Sequence, residues 1–248
     1  MKSLKGKNIV ITGCNRGIGR AILEKYVEYG CNIYAVVRKI SSEFAKSMEE
    51  LEERYEVKIH PLSCDFSLED EVRDCAKKIL LEKEKLDVLV NNVGVSYPAN
   101  IFNMTKINTI KKCFQINFFS PLEFTQLLSK NMIRNKGGKI IFISSTAAFD
   151  GGNNIEYTTS KAAINGAVKR LSIEYGQYNI DVNAIAPGFT DTDMGASQKE
   201  ELFHIAMERS IKKRMARPEE IAEIALFLGS GMSSYITGQI IRADGGMS

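Results

Sequence analysis

One feature constrains this 248-residue sequence more than any other: short apolar runs take turns with longer segments of helical periodicity, almost from end to end. The runs are Asn8–Thr12, Asn32–Val37, Val57–Cys64, Leu86–Val90, Ile140–Ile143, Val182–Ala186 and Gln239–Ala243. Between the first two, Ile18, Ile22, Tyr26 and Tyr29 recur at helical spacing. Ser41–Tyr55 reads as a serine-capped helix with glutamates on its outer face. Ser67, with Asp70 three residues later, resembles a capping box. Pro218 followed by Glu219 and Glu220 reads as a helix start with acids in its first turn. Strands that alternate with helices imply βαβ units, and near-continuous apolar runs imply strands covered on both sides. The expectation is α/β: one domain over 1–248, a doubly wound parallel sheet of about seven strands with helices on both faces.

Composition narrows the function. Thirty-three basic residues nearly balance 30 acidic ones, for a net charge of +3. That gives no case for nucleic acid or a membrane surface as the main partner. No apolar run reaches the length of a membrane span. The five cysteines, Cys14, Cys31, Cys64, Cys75 and Cys113, include no CxxC pair and read as reduced, mostly buried thiols. The N-terminal residues show no leader pattern, so the cytoplasm is the expected compartment. The two histidines, His60 and His204, are far apart in sequence, and no metal site is expected. His60 reads as structural and His204 as a surface residue.

The segment Thr12-Gly13-Cys14-Asn15-Arg16-Gly17-Ile18-Gly19 links the first run to the first helix. Gly13 permits a tight turn, while Gly17 and Gly19 let a pyrophosphate and neighbouring backbone come close. The helix N-terminus adds free N–H groups and a positive dipole end. The position after a strand and before a helix is the context that gives such glycines meaning.

The TGxxxGxG spacing resembles that of the short-chain dehydrogenase/reductase family, and later motifs occur in the same order. Asn91-Asn92-Val93-Gly94 stands where the family has NNAG. Tyr157 and Lys161 match YxxxK. Pro187, Gly188 and Thr192 match its PG…T loop, and Ile236-Thr237-Gly238-Gln239 with Asp244-Gly245-Gly246 matches its C-terminal end. The likeness spans essentially the whole chain and is closest in pattern to bacterial 3-oxoacyl-[acyl-carrier-protein] reductases. It implies a Rossmann-type fold, with a cofactor half over about 1–135 and a catalytic and substrate half over about 136–248.

A site preferring NAD usually has an acid after the second strand. Here that strand runs into Arg38 and Lys39, and Arg16 lies in the glycine turn. Guanidinium groups from Arg16 and Arg38 could hold a 2′-phosphate, so NADP(H) is expected ahead of NAD(H). By resemblance, Asp65 and Phe66 would face the adenine, and Asn91 and Gly94 would flank the adenosine ribose. Thr192, with the Phe189 and Thr190 backbone after Pro187-Gly188, would hold the carboxamide.

Tyr157 and Lys161 are four residues apart, which on a helix puts them one turn apart on one face. A nearby ammonium favours phenolate, so the tyrosine is expected to have a lowered pKa and to exchange a proton with substrate. Resemblance adds that Lys161 holds the nicotinamide ribose. A hydroxyl must also polarise the carbonyl. Strand five ends at Ser144-Ser145. Strand alignment favours Ser145, whereas counting back from Tyr157 favours Ser144. Asn117 matches the family's fourth catalytic member, and its apolar flanks predict burial with hydrogen-bond partners. The catalytic set is therefore Asn117, Ser145, Tyr157 and Lys161.

Substrate is less defined. Lys130, Arg134 and Lys136 could form part of a basic patch for acyl carrier protein. Against that, Glu174–Asn179 lacks the arginine expected of carrier-protein reductases, Val93 replaces alanine, and Phe149-Asp150 follows the catalytic strand. A sugar or other small carbonyl compound remains an alternative, as does a non-catalytic NADP-binding regulator, although an intact Tyr-Lys pair argues against the last. About 193–216, with Phe203, His204 and Met207, reads as a substrate lid. Resemblance also implies a homotetramer.

Overall fold

Each apolar run becomes a parallel strand. The computed structural model describes residues 4–98, 100–192, 208 and 210–247. It places β1 (Asn8–Thr12), β2 (Asn32–Val37), β3 (Ile59–Ser63), β4 (Val88–Asn91), β5 (Gly138–Ile143), β6 (Ile180–Pro187) and β7 (Ile240–Ala243) in one 7-stranded sheet. The order is β3-β2-β1-β4-β5-β6-β7. Strand ends follow pairing rather than hydrophobicity. The third strand starts at Ile59, not Val57, because Ile59 is the first residue with a partner, Ile33 on β2.

The helices cover both faces. On one side lie α1 (Gly17–Glu28), α2 (Ser42–Tyr55) and α8 (Pro218–Gly229), packed on Ile9, Ile11, Ile33, Val88 and Ile141. On the other lie α3 (Glu69–Leu81), α5 (Ser120–Arg134) and α7 (Ile155–Gly176), which follows the single-turn α6 (Ala147–Asp150); α3, α5 and α7 pack on Val10, Leu89, Ile140 and Phe142. Every other strand residue thus meets a different helical layer, as the two-residue period requires. Burying each such aliphatic side chain stabilises the fold by roughly 1.5–3 kcal/mol. Tyr26 lies fully inside and satisfies its hydroxyl on the Ala225 carbonyl at 2.8 Å, which joins α1 to α8.

Local signals mostly hold. Ser41 caps α2 by accepting the Phe44 N–H at 3.1 Å, and α8 begins at Pro218, with Glu220 accepting the Arg217 N–H at 2.8 Å. Ser67 does not cap α3. The helix begins after Leu68, whose side chain makes no cap, because Asp65 accepts the Ser67 N–H at 2.8 Å and folds the preceding turn onto itself. His60 stacks on Tyr34 at 5.0 Å, a packing role. Most of the lid expected over 193–216, including Phe203, His204 and Met207, lies outside the described residues. Among the described residues, no helix is long and apolar enough to cross a membrane, and no cluster of metal-ligating side chains occurs.

Two features position the site. The chain leaves β1 towards β2 and β3, then returns to β4 on the other side of β1. This reversal opens a crevice at the C-terminal ends of β1 and β4, where open α/β sheets bind ligands. Second, α4 (Ile107–Phe114) joins α5 through a π-helical turn, Gln115–Phe119. Such turns insert a residue and commonly mark functional sites.

Candidate active site

The glycine turn fits a phosphate-bearing ligand. Gly13 takes φ +68°, a conformation that side chains disfavour. A Cβ at Gly19 would collide with the Gly13 carbonyl oxygen and the Asn92 amide. The first turn of α1 contains no acid, and Arg16 at its N-cap supplies no capping side chain, so the N-terminal N–H groups stay available for an anion. Asn15 and Arg16 are exposed, while Ile18 packs against the core.

A latch not singled out in the sequence joins this turn to the crevice's other wall. Asn92 Nδ2 donates to the carbonyls of Thr12 and Gly13, both at 3.0 Å, and the Asn92 and Val93 N–H groups donate to Thr12 Oγ1 at 3.0 and 3.1 Å. The two turns are thereby one rigid unit. Beside them, Asn91 is buried, its Nδ2 held by Thr125 at 2.8 Å, while its Oδ1 has no partner. Thr192 places its methyl against Gly17, which brings the loop after Pro187 over the same turn; Thr190 closes that loop on Gly188 at 3.1 Å and pairs with Ala216. Arg38 lies exposed after β2. Asp65 and buried Phe66 follow β3, with the Phe66 carbonyl accepting from Ser120 at 2.7 Å. Glycines at the turn, free helix N–H donors and an unsatisfied buried amide oxygen all suit a dinucleotide.

The reacting groups come from three elements. β5 delivers Ser144 and Ser145, α7 delivers Tyr157 and Lys161, and the π turn delivers Asn117. Ser144 is buried and donates to Asn165 at 2.7 Å, tying β5 to α7. Ser145, not Ser144, is the serine whose hydroxyl draws the Tyr157 phenol down. Lys161 is buried at 4% exposure, donates to the Ile143 carbonyl at 2.7 Å and lies 5.7 Å from the centre of the Tyr157 ring. Gly94 is close enough that a Cβ there would sit 3.2 Å from the Lys161 ammonium.

Electrostatics correct one expectation. The Tyr157 phenol is held above its ordinary value, first by burial, with the Ser145 hydrogen bond pulling down and Cys113 pushing up. Lys161 does not set that direction, because burial pushes its own ammonium down to about 8. Desolvation acts on both groups and favours neutral forms of each.

Asn117 is buried and fully engaged. Its Oδ1 accepts the Val95 N–H at 2.8 Å, and its Nδ2 donates to the Val95 carbonyl at 2.9 Å, to Ser160 Oγ at 3.0 Å and to Cys113 Sγ at 3.2 Å. The π turn makes this possible by rotating a polar residue out of the helix's regular ladder and into the crevice wall. Asn154 was not anticipated. It caps α7 by accepting the Tyr157 N–H at 3.0 Å and donates to the Tyr97 carbonyl at 2.6 Å, fixing the tyrosine against the loop after β4. Its signal was a cap residue three before the tyrosine.

The comparisons with known proteins agree with this geometry. Residues 7–202 match the model of the short chain dehydrogenase family. The chain belongs to that family. It is an oxidoreductase acting on carbonyl and alcohol groups. A 3-oxoacyl-[acyl-carrier-protein] reductase of Aquifex aeolicus is 35% identical over 246 residues, covering 98% of each chain. An L-rhamnose 1-dehydrogenase (NADP(+)) of Thermoplasma acidophilum is 37% identical over 252 residues, covering 100% of this chain and 98% of that one. Among solved structures, a 3-oxoacyl-[acyl-carrier protein] reductase with bound NAD from Brucella melitensis superposes with a TM-score of 0.88 at 29% identity, covering 99% of this chain and 92% of that one.

Proposed function

We propose that this short-chain dehydrogenase is NADP(H)-dependent and interconverts a ketone and a secondary alcohol, with a 3-oxoacyl thioester as its substrate class. The observation that carries the reading is the buried Lys161 ammonium 5.7 Å from the centre of the Tyr157 ring, at the crevice where the strand order reverses. Gly13, Asn15, Gly17, Ile18 and Gly19 would bind the pyrophosphate. Arg16 and Arg38 would hold the 2′-phosphate, and no acid follows β2 to favour NAD. Asp65, Phe66, Asn91 and Gly94 would line the adenosine side. Pro187, Gly188, Thr190 and Thr192 would hold the nicotinamide end. The bound nucleotide supplies or accepts the hydride.

The protein's own groups manage the proton. Tyr157 gives its phenolic proton to the substrate oxygen in reduction and recovers it in oxidation. Ser145 donates to the same oxygen and steadies the charge that develops there. Lys161 would hold the nucleotide's ribose and favours the phenolate when charged. Asn117 holds the loop that carries Gly94 and Val95 against this pair.

The carrier-protein form of the substrate finds support in the exposed Lys130, Arg134 and Lys136 and in the reductase relatives. A second reading, a sugar dehydrogenase, is favoured by the rhamnose dehydrogenase relative and by the exposed Asp150 after the catalytic strand. We place the enzyme in the cytoplasm, on the strength of five free, buried cysteines, and as a homotetramer, on the strength of exposed Phe119 at the end of the π turn and Ile173 on α7. The test is a purified-protein panel that follows NADPH and NADH oxidation with an acetoacetyl thioester, keto-sugars and simple diketones, and NADP+ reduction with L-rhamnose. Faster turnover of the thioester with NADPH is expected. Preference for NADH would overturn the roles of Arg16 and Arg38, and failure with every substrate in both directions would leave a nucleotide-binding regulator.

A further inference from the structure

Beside the crevice, at the C-terminal ends of β6 and β7, lies a cavity of about 290 Å³. Phe189, Ile221, Ile224 and Met247 give it apolar surface. Its charged lining sets three cations, Lys212, Arg214 and Arg242, against two acids, Glu220 and Asp244. Both acids are already paired. Glu220 accepts from Arg214 through both oxygens at 2.7 Å, and Asp244 accepts from Arg242 at 2.7 Å and from the Gly246 N–H at 3.0 Å. What remains is positive. Among the described residues, the Lys212 ammonium has no ion pair and Arg242 Nη1 has no hydrogen bond.

One turn holds both of these cations. The Lys212 N–H donates to the Gly245 carbonyl at 3.1 Å, and Arg242 Nη2 donates to the Met247 carbonyl at 3.0 Å. The Arg242 guanidinium also lies 5.5 Å from the centre of the Phe149 ring. A guanidinium stacked on a ring and tied along one edge loses little freedom when it meets an anion. Phe149 belongs to α6, which opens two residues after Ser145. Its neighbour Asp150 accepts the Gly152 N–H at 2.9 Å. Thr146, next to Ser145, donates its N–H to the Pro187 carbonyl at 3.1 Å, and the Gly188 N–H donates to the Ala243 carbonyl at 3.0 Å. The turn that carries the cations is thereby joined to the turn that carries the catalytic serine, and the cavity borders the crevice.

We infer, on the reading of Tyr157 and Ser145 given above, that this cavity receives the far end of the carbonyl substrate and that this end is anionic, a carboxylate or a phosphate. Arg242 and Lys212 are the specificity-determining residues. The volume falls at the small end of ligand sites, which run from roughly 300 Å³ upwards. An anion gains charge-assisted hydrogen bonds from Arg242 Nη1 and from the Lys212 ammonium. A neutral end gains none of that strength and still displaces water from both cations.

The experiment compares matched substrates in NADPH-dependent reduction: levulinate against its methyl ester, and dihydroxyacetone phosphate against dihydroxyacetone. At least one anion is expected to show a KM about ten-fold below that of its neutral partner, the worth of one hydrogen bond to a charged group. Which pair shows the gap tells carboxylate from phosphate. Arg242→Met should close the gap, because it also leaves Asp244 unpaired to repel the anion. Lys212→Met should narrow it, and Arg242→Lys should retain part of it. In all three, kcat should move less than KM. Equal KM values within both pairs, or a variant that raises both members of a pair alike, would overturn the assignment. Calorimetry of each anion with the protein–NADP+ complex keeps the two readings apart. Binding that Arg242→Met abolishes, with no turnover of any ketone, would uphold the anion site and sink the reductase reading. Turnover of the neutral ketones with no preference for the anions would sink the anion site alone.

Discussion

At the β1–α1 turn, function is built into the backbone. Gly13 and Gly19 create the space, α1 offers its N–H groups, and Asn92 locks the turn through carbonyl oxygens. Where the π turn meets α7 the work falls to buried polar side chains: Asn117 from the turn bonds Ser160 on α7, and Lys161, next on the same helix, bonds the Ile143 carbonyl at the end of β5. The first region tolerates almost any neighbouring side chain that leaves space. The second depends on buried polar side chains finding partners in one another, since breaking such a pair costs about 1–3 kcal/mol. A site of the first kind is broken by adding atoms, one of the second kind by removing them.

The comparison can be tested by breaking each side. Tyr157→Phe removes one oxygen from the catalytic wall. Turnover should fall by about 10²–10⁴-fold, the usual worth of a positioned acid or base, with nucleotide affinity retained; near-normal turnover would refute the role. Gly19→Ala adds one carbon to the backbone side. It should cost about 1–3 kcal/mol of stability, in the range of overpacking, and weaken nucleotide binding. Gly166→Ala on α7, where a Cβ meets nothing within 4 Å, is the matched control and should leave both unchanged or slightly improve stability. Equal effects of the two substitutions in calorimetry and titration would erase the distinction.

Burial of Lys161 gives a pH-dependent effect. The folded protein holds its ammonium at about 8, below the ordinary lysine value of 10.5. Between these values the unfolded chain binds more protons, so stability rises with pH across that window, by at most about 1.4 kcal/mol per pH unit. The penalty is fully present below about 8. Without nucleotide, Lys161→Met should therefore be more stable than the parent near pH 7, and the difference should shrink towards pH 10.5. A constant difference in urea midpoints across that range would contradict the assignment. The smallest effect expected is from Asn154→Ala, which removes the cap on α7 and should cost about 1 kcal/mol in denaturant unfolding. Because Asn154 also fixes Tyr157 to the Tyr97 loop, kcat should fall while the KM for nucleotide stays level. A KM change alone would make the residue a binding group instead.

Sequence spacing went far in the first region and less far in the second. TGxxxGxG placed between a strand and a helix specified a turn that only glycines can make, and the structure adds the Asn92 latch. Asn117 could be marked as a buried, paired residue, but the π turn that aims it depends on packing against α7. The choice between Ser144 and Ser145 was open because loop length and strand register disagreed. In the structure Ser144 is buried on Asn165, and Ser145 is the serine whose hydroxyl bears on the Tyr157 phenol.

The order and kind of the elements, the parallel sheet and the glycine cradle follow from local chemistry alone: side-chain periodicity, strand hydrophobicity and backbone freedom act over a few neighbouring residues. The direction of the Tyr157 and Lys161 proton equilibria, the partners of Asn117 and the clamp of Asn154 were decided only by the tertiary structure. Those properties arise from desolvation and contact between segments distant in the chain, and no spacing within one segment encodes them.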